Sequence, residues 1–197
     1  MLSKMINSEV EINKRKLKEL IERKAFLRRS PPEEPFKLAS GGVSWDFFDC
    51  KLVTQDPEGI ALVAEIVFEK VENYQLDAIG GIAHGAIPIC TAVSLLSFQK
   101  GKSIPAFWVR DAPKEHGTKK LIEGVLQPDS RVVILDDVTT KGNSLWKAAD
   151  AVRRVNCRIV EIITMVDREK GAREKFENAG FKFTALFQIS DFTKSQS

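Results

Sequence analysis

Short apolar runs alternate with amphipathic stretches over most of the chain. Each apolar run has the length and the aliphatic or aromatic content of a single strand, and most are followed by a stretch with helical periodicity. Strands that alternate with helices predict an α/β fold, with a mainly parallel central sheet that helices cover on both faces. The predicted strands are LDAIGGIA, IPAFWVR, RVVILDD, RIVEIITMVDR and FKFTALFQIS.

The first part of the chain follows a different pattern. It predicts an amphipathic helix with one aliphatic face, which the proline-rich run SPPEEP then breaks. We therefore expect a basic N-terminal helix and a proline hinge over residues 1–35, and one α/β domain over residues 36–197. The side chains predicted on the aliphatic face are Leu17, Leu20 and Ile21.

The positive charge is concentrated near the N-terminus. The chain carries a net charge of +3, but residues 1–30 alone hold nine Lys or Arg and four Glu, so the remainder carries about −2. A slightly negative charge on the rest of the chain argues against a nucleic-acid-binding protein with a basic groove. We therefore expect no nucleic-acid partner. The longest nearly apolar run, IPICTAVSLLSF, falls short of the roughly 20 residues that a membrane-spanning helix needs, so we expect no membrane partner.

The cysteines suit a reducing compartment. Cys50, Cys90 and Cys157 are widely spaced, odd in number and form no C-x-x-C motif. Free thiols of this kind are typical of cytoplasmic proteins, so we expect a cytoplasmic location.

The stretch RVVILDDVTTKGNS, residues 131–144, carries the candidate chemistry. A strand followed by a small polar turn and a helix forms an anion site, because a helix N-terminus offers unpaired N–H groups and the positive end of its dipole. Asp136 and Asp137, here called the acid pair, repel an anion and must serve sugar hydroxyls, a metal ion or both. A ribose with a 5-phosphate suits both the acid pair and the polar turn, Val138–Ser144.

Three other interpretations compete with this one. A P-loop nucleotidase needs G-x-x-x-x-G-K-[ST], but Leu96 stands where that motif requires its first glycine ahead of Gly101. The glycines at 80, 81 and 85 do not fit the dinucleotide pattern G-x-G-x-x-G. An ordinary capping acid with a plain turn explains one Asp before a helix, but explains two acids followed by several small polar residues less well.

The sequence VVILDDVTTKGNS resembles the phosphoribosyl-diphosphate-binding motif of the type I phosphoribosyltransferases. Further segments resemble parts of the orotate phosphoribosyltransferases of that family, in order from about Phe36 to Phe192. These segments are SGGVSWDFFD (base-side segment), DAIGGIAHGAIPI (diphosphate loop), VRDAPKEHGTKKLIEG (catalytic loop), and VDREKGAREKF with LFQISDF (C-terminal region). The resemblance implies the type I phosphoribosyltransferase fold, with a small hood beside the central sheet.

The resemblance also implies roles for individual residues. The acid pair would hold the ribose hydroxyls and bind Mg²⁺ through those hydroxyls or water. Lys114 and His116 would act on the leaving diphosphate, with Lys119 or Lys120 as further cations. Arg168 would bind the orotate carboxylate, and Phe47 or Phe48 would cover the base, although at least one of these two is expected in the core. The remaining substrate-binding residues implied are Ala83, His84, Gly85, Arg110, Val138, Thr139, Thr140, Lys141, Gly142, Asn143 and Ser144.

By this resemblance the protein transfers the phosphoribosyl group of phosphoribosyl diphosphate to orotate, as a homodimer with shared active sites. Two alternatives stay open: transfer to another nucleobase such as a purine, or sensing of phosphoribosyl diphosphate without turnover. Two departures from the orotate enzymes bear on the choice. Asp111 follows Arg110 where those enzymes usually carry lysine, and the ASGGV segment lacks their usual cation.

Overall fold

A computed structural model describes residues 2–38, 41–112 and 120–194, with side chains described from residue 9 onward in those ranges. In chain order the elements are α1 (Leu2–Lys24), β1 (Phe26–Arg28), β2 (Phe36–Lys37), β3 (Val43–Ser44), β4 (Asp46–Phe48), α2 (Lys51–Thr54), α3 (Pro57–Val71), β5 (Ala78–Ile82), α4 (Ala86–Gln99), β6 (Ala106–Val109), β7 (Ile122–Gly124), β8 (Arg131–Thr139), α5 (Asn143–Arg153), β9 (Arg158–Asp167), α6 (Ala172–Asn178), β10 (Phe183–Gln188) and α7 (Ser190–Thr193).

The central sheet has six strands in the order β10-β9-β8-β5-β6-β7. Every neighbouring pair is parallel except β6 and β7, which are antiparallel. The mainly parallel sheet predicted from the alternating pattern is therefore confirmed. The antiparallel edge strand β7 is an addition, because the sequence predicts only a charged loop there.

Apolar residues of β8 alternate between the two faces of the sheet. Val133 and Leu135 belong to a core cluster that also contains residues of α1, α3 and α4. Val132 and Ile134 belong to a second cluster, formed with α5 and α6. The sheet is thus covered by helices on both faces, and the site-bearing strand β8 is anchored in both cores.

The N-terminal helix is part of the main core. Leu17, Leu20 and Ile21 are almost fully buried, which confirms the predicted aliphatic face. Strand β1, which follows the helix, pairs antiparallel with β4. We call β1–β4 the hood: two small two-stranded sheets that lie outside the central sheet. Among the described residues, no helix has both the length and the apolar character needed to cross a membrane.

Truncating the buried face of α1 should destabilise the whole protein. Ile21 is 0% exposed, so Ile21→Ala should lower the free energy of unfolding by about 2–5 kcal/mol, through lost burial and the cavity left behind. Ile12, on the same helix, is 41% exposed, and Ile12→Ala is the matched control, with an expected change within about 0.5 kcal/mol. Urea denaturation of both variants measures the difference. Equal, small changes would show that α1 contributes little to the core.

Candidate active site

The acid pair lies within β8, at the end of the sheet where parallel strands present their carboxyl ends. Asp136 and Asp137 are 5% and 6% exposed. The backbone N–H of Asp137 donates to Oδ1 of Asp136 at 3.0 Å, and the N–H of Val138 donates to Oδ1 of Asp137 at 2.9 Å. The carboxylates are therefore fixed by the strand itself. The strand also extends to Thr139, so the first two residues predicted in the polar turn are paired with β9.

Burial and proximity perturb both carboxyl groups. Loss of solvation and the neighbouring Asp137 raise the pKa of Asp136 well above its ordinary value. Burial also raises the pKa of Asp137, while its hydrogen bond with Asp136 and the charge of Lys51 act in the opposite direction. Two buried acids that resist full ionisation suit a partner that donates hydrogen bonds or brings positive charge.

The turn between β5 and α4 comes very close to the acid pair. Gly81 of β5 is aligned with Leu135 of β8, so the turn that follows β5 meets the acids that follow Leu135. A Cβ atom at Gly85 would lie 2.3 Å from Oδ1 of Asp137 and 2.9 Å from Oδ1 of Asp136. Only glycine leaves room there. The structure thus brings Gly85 to the acid pair, while the His84 side chain in the same turn is exposed.

The polar turn leads directly into α5. Gly142 precedes the helix with φ 71°, a left-handed conformation that favours glycine. A Cβ atom at Gly142 would also lie 2.7 Å from the Phe176 ring. Asn143 and Ser144 begin the helix and are exposed. The free N–H groups of the first turn of α5 therefore open onto the site, as an anion site requires.

Arg168 follows β9 and joins the polar turn to the hood. Its backbone N–H donates to the carbonyl of Thr139 at 2.9 Å. Its Nη2 donates to Oγ of Ser44 at 2.9 Å and to the carbonyl of Asp46 at 2.7 Å. The residue is 4% exposed, and its buried Nε has no hydrogen-bond partner among the described residues. One donor of the guanidinium is therefore unsatisfied within the part of the chain that the structure describes.

The two predicted aromatic residues have different environments. Phe48 is 4% exposed and belongs to the main core cluster, which confirms that at least one of the pair is a core residue. Phe47 is half-buried and stacks on Phe36, with ring centroids 5.3 Å apart. Phe47 is therefore the better placed of the two to cover a flat ring.

These groups share one cavity of about 430 Å³, lined by Asp136, the polar turn, Phe47, Phe48 and Arg168. A cavity of that volume suits a small-molecule substrate. A larger cavity, of about 640 Å³, lies between β7 and the end of α5. Its lining includes Lys120, one of the further cations that the resemblance implies, but neither the acid pair, the polar turn nor Arg168, so the smaller cavity is the candidate active site.

Comparison with known proteins gives a consistent result. A family model described as the phosphoribosyl transferase domain matches residues 51–194. The orotate phosphoribosyltransferase of Rhodopseudomonas palustris is 47% identical over 159 residues, covering 79% of this chain and 85% of that protein. The orotate phosphoribosyltransferase of Bradyrhizobium diazoefficiens is 42% identical over 184 residues, covering 91% and 96% respectively. The chain belongs to the orotate phosphoribosyltransferase family.

Solved structures of the family agree with the fold. The Mycobacterium tuberculosis orotate phosphoribosyltransferase in complex with 5-phospho-alpha-D-ribosyl 1-diphosphate superposes with a TM-score of 0.74 at 29% identity. The match covers 91% of this chain and 98% of that chain. The family assignment and the type I phosphoribosyltransferase fold expected from the sequence are both confirmed.

The catalytic loop of this family member is described only at its ends. Arg110 donates from Nη1 to Oε1 of Glu123 at 3.0 Å, so β6 and β7 are linked across the base of the loop. Asp111 lies 3.9 Å from Nζ of Lys147 on α5, so a nearby cation accompanies the acid that replaces the usual lysine. Lys114, His116 and Lys119 lie outside the described residues.

Sequence reasoning missed two charged residues of the cavity, Lys51 and Lys147. Lys51, the first residue of α2, lines the cavity and is close enough to Asp137 for its charge to lower the pKa of that carboxyl. No motif marks it in the sequence. The signal for Lys51 is its position two residues after the base-side segment, which ends at Asp49.

Proposed function

We propose that this protein transfers the 5-phosphoribosyl group from phosphoribosyl diphosphate to orotate, forming orotidine 5-monophosphate and diphosphate. In this reaction a ring nitrogen of orotate bonds to C1 of the ribose as the C1–oxygen bond to diphosphate breaks. The observation that carries the proposal is the cavity in which one buried acid of the pair, Asp136, meets a helix N-terminus and a buried arginine. Membership of the family supports it.

The ribose phosphate suits the carboxyl end of β8 and the turn that follows it. The 2- and 3-hydroxyls of the ribose donate hydrogen bonds to the acid pair, of which Asp136 lines the cavity. The 5-phosphate accepts hydrogen bonds from the backbone N–H groups and hydroxyls of the polar turn and the start of α5. These residues hold the sugar so that C1 points towards the hood, where the base would bind. Orientation of this kind contributes to catalysis by removing much of the entropic cost of reaction.

The base-binding groups lie on the hood side. Arg168 is anchored to the hood through Nη2, which leaves Nε to donate to the orotate carboxylate. A guanidinium matches a carboxylate in both charge and geometry. Phe47 covers one face of the flat ring.

The leaving diphosphate needs positive charge as it departs. We propose that Ala83, His84 and Gly85 surround it, and that Arg110, Lys114 and His116 bring cations and a proton donor to its oxygens. Lys119 and Lys120 are further candidates for this role.

The acid pair fits Mg²⁺ by its chemistry. Mg²⁺ binds carboxylate oxygens together with phosphate oxygens and water, and usually needs only one or two carboxylates from the protein. Asp136 and Asp137 would hold the ion through the ribose hydroxyls or water. When bound, Mg²⁺ would neutralise charge on the diphosphate.

We also propose that the protein works in the cytoplasm as a homodimer whose catalytic loops are shared between active sites. The three buried free cysteines support a reducing compartment. The division into an N-terminal segment, 1–35, and a phosphoribosyltransferase domain, 36–197, also stays a prediction, although the N-terminal helix shares the core of that domain.

A direct assay tests the function. The purified protein is mixed with phosphoribosyl diphosphate and Mg²⁺, and the loss of orotate absorbance is followed, with hypoxanthine, adenine and uracil in parallel reactions. We expect turnover with orotate alone, and its loss in the Lys114→Ala and His116→Ala variants. Turnover with a purine instead would identify another nucleobase as the acceptor. Binding of phosphoribosyl diphosphate without turnover of any base would favour a sensor.

A further inference from the structure

We infer that Lys51 binds the diphosphate of phosphoribosyl diphosphate from the hood side of the cavity, as a substrate-binding residue in its own right. The inference rests on the proposed function, which supplies the diphosphate. It assigns a role to a residue that lies outside both the acid pair and the catalytic loop.

The position of Lys51 in the cavity is the first argument. Lys51 begins α2, three residues after the hood ends at Phe48, and lines the same cavity as Asp136 and Arg168. Its side chain is 62% exposed, and its ion pair with Asp49 is loose, at 3.9 Å. The ammonium group is therefore held near the site without being committed to a tight partner, because an exposed pair at that distance contributes little.

The neighbourhood of the acid pair is the second argument. Lys51 lines the cavity together with Asp136, and Oδ1 of the adjacent Asp137 is the atom nearest to the Cβ position of Gly85. Gly85 belongs to the turn proposed to surround the diphosphate. A diphosphate seated against that turn and Asp137 would thus come within the field of Lys51, since charges a few ångströms apart still interact appreciably near a protein surface.

The other cations of the cavity have different surroundings. In the part of the chain that the structure describes, Lys51 shares the cavity lining with Lys141, Lys147 and Arg168. Lys141 belongs to the polar turn, which holds the 5-phosphate in the proposed function, and Arg168 is hydrogen-bonded to the hood. Lys147 has an equally loose pair, 3.9 Å from Asp111, but it lies on α5, after the polar turn. Of these two loosely paired cations, Lys51 is the one that follows the hood, so it can offset from that side the charge that a diphosphate brings beside two carboxylates.

Two anionic groups could occupy the position beside Lys51: the diphosphate, or the carboxylate of orotate. The geometry favours the diphosphate, because Arg168 already offers a free Nε for the orotate carboxylate. If Lys51 binds the diphosphate, a Lys51 variant should bind phosphoribosyl diphosphate more weakly. If Lys51 binds the carboxylate, the variant should bind orotate more weakly, so the KM for each substrate separates the two cases.

The test compares Lys51→Met with Lys51→Arg and with Lys100→Met, a matched change at an exposed lysine outside the cavity. We expect Lys51→Met to raise the KM for phosphoribosyl diphosphate and the Kd for inorganic diphosphate about 10- to 100-fold, the loss of one charge-assisted hydrogen bond. The KM for orotate should change less than about threefold, within the range of a neutral surface change. Lys51→Arg should restore most of the affinity, and Lys100→Met should resemble the wild type.

Two results would overturn the inference alone. A rise in the KM for orotate with unchanged diphosphate affinity would place Lys51 at the base, and unchanged values for both substrates would make it an ordinary surface lysine. Calorimetric titration of the wild-type protein with phosphoribosyl diphosphate is run first. Failure of the wild type to bind would instead overturn the proposed function.

Discussion

Replacing both members of the acid pair with asparagine should nearly abolish activity while leaving the fold intact. We expect the Asp136→Asn, Asp137→Asn double variant to lose about 10²- to 10⁴-fold in kcat/KM for phosphoribosyl diphosphate, because two hydrogen bonds to charged groups, each about 1.5–3 kcal/mol, are weakened. Asparagine has nearly the shape of aspartate, so packing is retained. Steady-state kinetics with varied phosphoribosyl diphosphate measures the loss.

Thermal unfolding of the same variant provides the control for structure. Burial raises the pKa of both carboxyls, which means that their ionised forms are unfavourable in the folded protein. The double variant should therefore unfold at the same temperature as the wild type or at a higher one. Asp150→Asn, on the exposed face of α5, should change neither activity nor stability appreciably. A double variant with normal kinetics would remove the acid pair from the mechanism.

The raised pKa values also give this prediction a dependence on pH. Ribose hydroxyls donate to ionised oxygens, so a proton held by the acid pair competes with the sugar. The affinity of the wild type for phosphoribosyl diphosphate should fall as the pH is lowered through the raised pKa of the pair. The double variant should lack this part of the pH dependence, since asparagine does not titrate.

The regular elements could be predicted from the sequence because local signals and tertiary packing agree in them. Helix α4 spans the predicted run, Ala86–Gln99. Helix α3 begins where Asp56 and Pro57 predict, with Asp56 accepting a hydrogen bond from the N–H of Gly59. Capping residues and hydrophobic periodicity act over a few residues, so one sequence is sufficient to recognise them.

Short strands could not be predicted, because their partners are distant in the sequence. Strand β7 is three residues long, and only its pairing with β6 makes Ile122–Gly124 a strand. Strand β1 likewise depends on β4. Three residues are too few to show alternation, so the charged-loop prediction for the β7 segment followed composition alone.

The burial of a charged residue, Glu161, also could not be predicted from the sequence. Glu161 is 0% exposed within β9, and its carboxylate accepts hydrogen bonds from Tyr74 at 2.6 Å and Thr184 at 2.5 Å. Lys70 and Lys182 lie 3.1 Å and 3.0 Å from it. A glutamate in an apolar strand predicts an exposed position, and only the fold shows the partners that make its burial tolerable.

In the active site, the sequence located the groups that lie on consecutive residues. The acid pair and the polar turn form one uninterrupted stretch, and a strand followed by a helix fixes their geometry. Lys51 and the tether of Arg168 to Ser44 depend on how the hood folds over the sheet. Such contacts join segments far apart in the chain, and no local pattern encodes them.

Arg168→Lys should specifically weaken binding of the base. A lysine keeps the positive charge but loses the guanidinium fork, including the Nε that has no partner among the described residues. We expect the KM for orotate to rise about 10²- to 10³-fold, through loss of one or two charge-assisted hydrogen bonds, while the KM for phosphoribosyl diphosphate rises much less. Initial rates with each substrate varied in turn measure both constants.

Arg168 also holds the hood, so a purely structural effect must be separated from a direct one. Ser44→Ala removes one hydrogen bond of the tether, the 2.9 Å contact with Nη2, and leaves Nε untouched. If Arg168 acts only through the hood, Ser44→Ala should reproduce much of the orotate defect. If Arg168 binds the carboxylate, Ser44→Ala should change the KM for orotate only slightly. The Arg168 variant should then also lose its preference for orotate over uracil, because uracil has the same ring without the carboxylate.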